Sequence, residues 1–307
     1  MLVLSLLVPS LARAEKGING NELYGLSPAE LQETVAGYKA LGVSWVRFDF
    51  DWSVMQPTRT SYRTAGHDAA VAALSKAGIK VLGIIDYTPA WANGGQASKY
   101  YPPTNPKTFA DFSAFLASRY GPMGVKTWEI WNEPNLGSFW GPAPDPSAYA
   151  TLLRHTYLAI KRVDPSAMVI TGGLAQPSTT AQSMDSVQFL QLLYGSGAKP
   201  YFDAVGNHPY TAPVPPANPD AYNWYKQFST PVNMRSVMLQ YNDGAKRIWM
   251  TEFGAPTAGV SPWGTVTTEE MQATMVTQTY QLASSYSWAG PVFWYNYKDF
   301  CTYSQTA

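Results

Sequence analysis

Lys126-Thr127-Trp128-Glu129-Ile130-Trp131 is a short apolar run of strand length. A stretch of helical periodicity follows from Pro146 to Val163, and then a second strand-like run, Met168-Val169-Ile170-Thr171. Strand, helix and strand in that order read as two parallel strands joined by a right-handed crossover. The alternation extends upstream. A short first strand falls near Lys16 to Asn19. Ser27-Pro28-Ala29-Glu30 forms a capping box with Pro in the first turn, and the helix it opens closes at Leu41-Gly42. The strand Val43 to Phe48, a helix from Gly66 to Lys76, the buried strand Val81 to Ile85 and a helix from Asn105 to Tyr120 follow. Downstream come a helix at Val187 to Tyr194 and the strand Phe202 to Gly206. After the proline-rich stretch Pro209 to Pro219 there is a helix near Met234 to Asn242. The strand Arg247 to Met250, a helix capped by Thr267-Thr268-Glu269-Glu270 and the strand Pro291 to Tyr295 complete the series.

Eight strands with seven intervening helices predict an α/β fold, a closed (β/α)8 TIM barrel in a single domain. Such a barrel needs about 250 residues, and the chain has 307. No glycine-rich dinucleotide fingerprint follows the first strand, which weighs against an open doubly wound sheet. Only twelve residues follow Tyr295. The reading therefore expects most of the last helix to be lacking, with apolar surface exposed beside the first and last strands.

Lys plus Arg and Asp plus Glu number 21 each, so the formal net charge is zero. Nothing in that balance suggests a nucleic-acid surface, which needs a basic stripe. No segment has the roughly 20 uninterrupted apolar residues of a membrane span. Cys301 is the only cysteine, so no disulfide forms within the chain. Leu2 to Val8 is a short apolar run, and Ala12-Arg13-Ala14 fits a small-x-small cleavage site. Residues 1–14 thus read as a signal peptide or as an ordinary buried strand or helix, and residues 15–307 as the catalytic domain. The first reading implies a secreted or cell-envelope protein, the second a cytoplasmic one.

In a barrel of this kind the chemistry gathers where strands end and the following loops begin. Strand two ends at Arg47 to Asp51-Trp52 and strand three at Asp86-Tyr87, with Trp91 just beyond. Strand four ends at Asn132-Glu133-Pro134-Asn135 and strand six at His208-Pro209-Tyr210. Strand seven ends at Thr251-Glu252-Phe253-Gly254 and strand eight at Trp294-Tyr295, with Asp299 nearby. Glu133 and Glu252 each follow an apolar strand directly, on facing parts of the ring. Cleaving a glycosidic bond takes one carboxylic acid to protonate the leaving oxygen and a second carboxylate to attack carbon or activate water. Eleven Trp and 20 Tyr supply the flat faces that sugars stack on, although much of that aromatic content is expected in packing.

Trp128 to Asn135 resembles the Asn-Glu-Pro motif of glycoside hydrolase clan A, and Trp249 to Gly254 looks like that clan's nucleophile strand. The chain is similar to the family 39 and family 5 branches over roughly residues 17 to 300. The resemblance implies a retaining hydrolase of β-linked poly- or oligosaccharides with no cofactor. It implies Glu133 as acid/base, Glu252 as nucleophile and Asn132 on the sugar 2-hydroxyl. Arg47 and Tyr210 would hold Glu252, His208 would lie near Glu133, and Trp294 would form the floor under the reacting sugar. Family 5 members usually carry a His at the end of strand three; Asp86-Tyr87 stands there instead, which favours the family 39 side.

Tyr87, Trp91, Trp140 and Asp299 are candidate sugar contacts, with loop packing as the alternative; the same two readings apply to Trp52 and Trp263. Glu129 is expected in the barrel interior network, and His67 and His155 on helix surfaces. There is no His-Glu-x-x-His, no Cys/His cluster and no Gly-x-Ser-x-Gly, so no metal site or serine hydrolase is expected. A transglycosylase on the same scaffold and a non-catalytic carbohydrate-binding barrel are the other readings.

Overall fold

The computed structural model describes residues 14–257 and 267–298. Its strands are β1 (Lys16–Asn19), β2 (Trp45–Asp51), β3 (Lys80–Asp86), β4 (Thr127–Ile130), β5 (Met168–Thr171), β6 (Ala204–Asn207), β7 (Arg247–Phe253) and β8 (Ala289–Trp294). They pair in parallel in sequence order, and β8 closes on β1. The helices are α1 (Pro28–Ala40), α2 (Trp52–Met55), α3 (Ala65–Lys76), α4 (Pro106–Tyr120), α5 (Pro146–Val163), α6 (Ser186–Gly195), α7 (Tyr222–Tyr225), α8 (Met234–Gln240) and α9 (Glu269–Ser285). The one-turn helices α2 and α7 carry no periodic signal, and the sequence reading leaves both as loop. The chain is thus the (β/α)8 barrel that the alternation predicts.

The helix starts follow from their caps. Ser27 and Glu30 exchange hydrogen bonds as a capping box at α1. Asn105 and Asp145 cap α4 and α5, each with Pro in the first turn, where the missing N–H costs nothing.

Period-two alternation divides β2 cleanly. Val46, Phe48 and Phe50 face the helices and are fully buried. Arg47, Asp49 and Asp51 alternate with them and face the barrel axis. The floor of the barrel is a separate apolar plug of Trp45, Leu82, Ile170, Ala204, Trp249 and Phe293. Trp45 and Trp249 meet edge to face with centroids 5.2 Å apart. The plug fills the N-terminal end of the barrel, and the polar side chains of its interior lie toward the C-terminal mouth.

His67 is a correction to the sequence reading. It lies under the helix rather than on its surface, stacked on Tyr24 at 4.9 Å, with Nε2 2.9 Å from the Asp49 carbonyl oxygen. A groove of about 760 Å³ runs beside β1 and β8, lined in part by Ile18, Leu41, Val43, Tyr280 and Trp294. The expected absence of the last helix, Asp299, Trp263 and residues 1–13 lie outside the described residues. Among the described residues no helix is long and apolar enough to cross a membrane.

Gly83 on β3 is where β2 and β4 crowd together. A Cβ there would meet a Trp128 ring carbon at 2.7 Å and a Phe50 ring carbon at 2.9 Å. Gly83→Ala is expected to destabilise the fold by about 1–3 kcal/mol, as overpacking does. Urea denaturation checks this as a lowered midpoint with an unchanged slope.

Candidate active site

Arg47 is 1 % exposed and bonds to four side chains at once. Its Nε donates to Glu129 Oε2 at 2.6 Å and its Nη1 to Glu252 Oε1 at 2.8 Å and Asn19 Oδ1 at 2.9 Å. Nη2 donates to Asn132 Oδ1 at 3.1 Å. The guanidinium therefore joins the ends of β1, β2, β4 and β7. Its fixed fork is suited to this, whereas a lysine would present a single point. Glu129 lies in the interior network as expected. Its other oxygen accepts from Gly173 N at 2.8 Å and Thr251 Oγ1 at 2.9 Å.

Glu252 is reached by an irregularity in β7. The pairing of β7 with β8 shifts register between Met250 and Phe253. Thr251 and Glu252 are adjacent, so a regular strand would send them to opposite faces. Here both reach the mouth, while Met250 and Phe253 join the layer that packs under α9. Bulges recur beside active sites because they re-aim a side chain in this way. Tyr210 donates to Glu252 Oε2 at 2.8 Å. Burial works against the charge on Glu252. The charges of His208 and Arg47, with the hydrogen bonds from Tyr210 and Arg47, outweigh it and hold the carboxyl below its ordinary range.

Glu133 is placed by strained backbone. Trp131 has φ +72° and Glu133 has φ +43°, in the left-handed region that side chains avoid. Each such residue costs on the order of 1–3 kcal/mol and persists only when its surroundings enforce it. Trp131 is locked outside the barrel, its indole donating to Phe139 O at 2.7 Å. Asn132 and Glu133 are thereby turned into the mouth.

Glu133 and His208 are hydrogen-bonded to each other at the mouth. His208 Nδ1 lies 2.9 Å from Glu133 Oε1, and Nε2 lies 3.1 Å from Thr251 Oγ1. Thr251 Oγ1 donates to Glu129 Oε1, and Glu129 is paired with Arg47. The Thr251 oxygen must then accept from His208 Nε2–H, a tautomer assigned from the network. The Nδ1 contact consequently holds either the Glu133 carboxylic proton or an imidazolium proton. Burial opposes a charge on His208, but Glu252 and Glu133 outweigh it and raise its pKa. A Cβ on Gly173 would collide with His208 and Thr251, so the loop just past β5 needs a glycine here.

Of Glu133, His208 and Glu252, one acceptor atom each lies within 4.8 Å of the others. The three have the donor types of a metal site. All three are already engaged, however: Glu252 by a guanidinium and a phenol, and Glu133 and His208 Nδ1 by each other.

Several sequence candidates lie elsewhere. Trp140 is 2 % exposed, packed on Trp131 at 5.1 Å and Tyr149 at 5.6 Å, so it is core and offers no sugar a face. Trp52 is likewise core. Trp91 is half-buried over Trp52, and its indole donates to Gln56 O at 2.9 Å. Trp294 is turned away from the mouth. It packs on Phe253 at 5.8 Å and lines the outer groove with Tyr280 of α9. Alternation along β8 puts Phe293 in the barrel floor and Tyr295, not Trp294, on the inner side. Burial and the charges of Glu252 and Asp49 raise the Tyr295 pKa, as its place beside the carboxylates requires.

Tyr87 is at the mouth, with φ +61° and Lys99 Nζ 4.2 Å over its ring. Beside it lies an acidic group that sequence reasoning did not assign a role. Burial pushes Asp49 up to about 7, against the pull of Arg47. Burial with Asp49 and Asp51 nearby raises Asp86 too, and neither Asp86 oxygen has a hydrogen-bond partner. Asp51 is instead paired with Lys99 at 2.6 Å. The inward alternation of β2 was the signal that could have flagged Asp49.

The model of the cellulase family, glycosyl hydrolase family 5, matches residues 12–298. The chain belongs to that family. A β-xylosidase of Geobacillus stearothermophilus is 33 % identical over 138 residues, 41 % of this chain and 26 % of that protein. A family 39 glycoside hydrolase from Bacteroides cellulosilyticus WH2 superposes with a TM-score of 0.70 at 23 % identity, over 93 % of this chain and 56 % of that one. An endo-1,4-β-D-mannanase from Thermotoga petrophila RKU-1 gives 0.59 at 14 %, over 92 % and 88 %. The family 5 chain thus spans about a quarter of the xylosidase and just over half of the family 39 structure. At these identities the structural likenesses establish the barrel.

Truncating Arg47 would strand Glu129 and Glu252 in a buried site. Arg47→Leu is expected to cost about 3–5 kcal/mol in urea denaturation. Glu252 also makes stability depend on pH. Its folded pKa lies below the unfolded value of about 4.3. Its contribution is therefore complete above that value and is lost as pH falls through the folded one. Glu252→Gln should be less stable than wild type at neutral pH, and the gap should close on acidification. A gap that stays constant between neutral pH and pH of about 3 would contradict the assignment.

Proposed function

We propose that this protein is a retaining glycosidase acting on β-linked oligo- or polysaccharide, with Glu252 as nucleophile and Glu133 as acid/base. The observation that carries the reading is the pair of carboxylates whose oxygens approach within 4.8 Å, one bonded to Arg47 and Tyr210, the other to His208. A separation of about 5–5.5 Å between carboxyl groups belongs to double displacement, while inversion needs roughly 6.5–9.5 Å to admit water.

The roles follow from what each carboxylate touches. Glu252 is kept ionised and so can attack the anomeric carbon, forming a glycosyl ester. Glu133 shares its proton with His208 and can deliver it to the departing oxygen. Once Glu252 is esterified its negative charge is gone, and His208 loses the partner that most favours the imidazolium. Glu133 then takes a proton from water, which attacks the ester. Asn132, held by Arg47, is placed to bond the 2-hydroxyl, an interaction that strengthens in the transition state. Tyr210 gives up its hydrogen bond as Glu252 loses charge. A non-catalytic binding barrel has no use for this division of labour between the two acids. The N-terminal apolar run supports secretion, which would put a polysaccharide substrate within reach.

Aryl β-glycosides and β-glycans test the proposal. Glu133→Ala should lower turnover of substrates with poor leaving groups by about 10²–10⁴-fold. Glu252→Ala should lower all of them at least as far. NMR of the first-formed product should show the β anomer. A first-formed α anomer, or full activity in either variant, would sink the reading.

A further inference from the structure

Two carboxyl groups on the Glu252 side of the mouth have no cation of their own among the described residues. Asp49 is the next inward residue of β2 after Arg47, and it is only partly buried. Asp86 ends β3 opposite Asp51. Leu82, four residues earlier on β3, belongs to the barrel floor, so Asp86 is aimed inward as well. Asp86 is fully buried, and neither of its oxygens has a hydrogen-bond partner. The nearby cations are engaged elsewhere: Arg47 by Glu129 and Glu252, and Lys99 by Asp51 at 2.6 Å. We infer that this side of the mouth is built for a cationic sugar, one carrying a free ammonium group, and that Asp49 is the specificity-determining residue that meets the charge. The inference rests on the retaining reading above and adds the class of substrate, a glycan containing amino sugars.

The sign of the ligand follows from the charges already present. Arg47 and Lys99 are outnumbered by Glu129, Glu252, Asp49, Asp51 and Asp86. A buried carboxylate without a partner is costly, and with no ligand bound that cost is avoided by taking up a proton. Burial pushes Asp49 up to about 7 against the pull of Arg47, with Asp51 and Glu252 adding to the rise. Burial with Asp49 and Asp51 nearby raises Asp86 too. A sugar hydroxyl brings a donor but no charge, so it leaves this surplus uncompensated. An ammonium brings donors and a positive charge together, and its hydrogen bonds to a carboxylate are roughly twice as strong as neutral ones. A uronic acid would add another carboxylate to the surplus, and the lysine within reach is already paired.

The aromatic groups beside the acids suit the same ligand. Burial and the charges of Asp86 and Asp49 raise the Tyr87 phenol, while burial with Glu252 and Asp49 raises that of Tyr295. Both rings therefore stand within the field of Asp49. Ring faces attract ammonium groups, and Lys99 Nζ already lies 4.2 Å over the Tyr87 ring. Acids and phenols thus converge on one side of the site, and the cation that would complete them is left for the substrate to supply.

Paired aryl β-glycosides test this. Parent glucosides, mannosides and galactosides are compared with analogues in which one hydroxyl, at C-2, C-3, C-4 or C-6, is replaced by an amine, and with the N-acetyl derivatives of those amines. In wild-type enzyme, at a pH where the amine is charged, at least one amino glycoside should exceed its parent in kcat/KM by about tenfold, and its N-acetyl derivative by at least as much. Asp49→Asn keeps the shape and removes the charge. It should erase that preference, chiefly through KM, and lower turnover of the parent far less. Asp86→Asn should weaken the preference in the same direction. Circular dichroism and a thermal melt verify that both variants fold, and the wild-type comparison stands without either. A parent that outperforms its amine in every pair overturns the inference, as does a preference that survives Asp49→Asn. Absence of Glu252-dependent release from every glycoside would instead overturn the retaining reading itself, so the two failures are distinguishable.

Discussion

A single cation sets the layout of this protein's mouth. Arg47 is buried among Glu129, Glu252, Asn19 and Asn132, and these bonds tie β2 to β1, β4 and β7. A guanidinium out of water is tolerable only if its donors are matched, and the matching groups are carboxylates that would be equally intolerable alone. Arginine and glutamates therefore require one another. The result holds Glu252 charged and aimed at a point where, on the proposed mechanism, a sugar carbon would sit.

The same arrangement organises the proton. Glu129 is paired with Arg47 and accepts a hydrogen bond from the Thr251 hydroxyl, so Thr251 must accept from His208. That leaves His208 Nδ1 to share a proton with Glu133. A buried salt bridge on the barrel axis thereby selects a tautomer two hydrogen bonds away. Asn19 and Thr251, neither of them a plausible acid or base, have structural parts in this network.

Geometry at the mouth comes at a local backbone cost. Trp131 and Glu133 have positive φ, and β7 breaks its pairing register between Met250 and Phe253. The apolar plug at the other end of the barrel and the helices packed on its outside hold these departures in place. Regular strands could deliver only every second residue inward. The departures let Thr251 with Glu252, and Asn132 with Glu133, serve the same small space.

The barrel was legible in the chain because each strand is a compact apolar run and most helices carry a cap, a periodic stripe and a stop. Those signals are local, so the element order survives without tertiary information. The strand ends and their polar residues were legible too, which brought Glu133, Glu252, Arg47, Asn132, His208 and Tyr210 onto one list. Orientation was not. Whether Trp294 or Tyr295 faces the axis depends on the register in which β8 meets β7 and β1. Whether Trp140 is platform or core depends on what loop folds over it, and His67 looked like a surface residue until Tyr24 was laid across it. Asp49 and Asp86 were in plain view as acids, but their burial beside one another is a property of two strands in contact. The amino-acid sequence determined which chemistry is carried at each strand end. Only the closed barrel decided which of those groups meet, because side-chain direction follows from strand register and bulges that involve residues far apart in the chain.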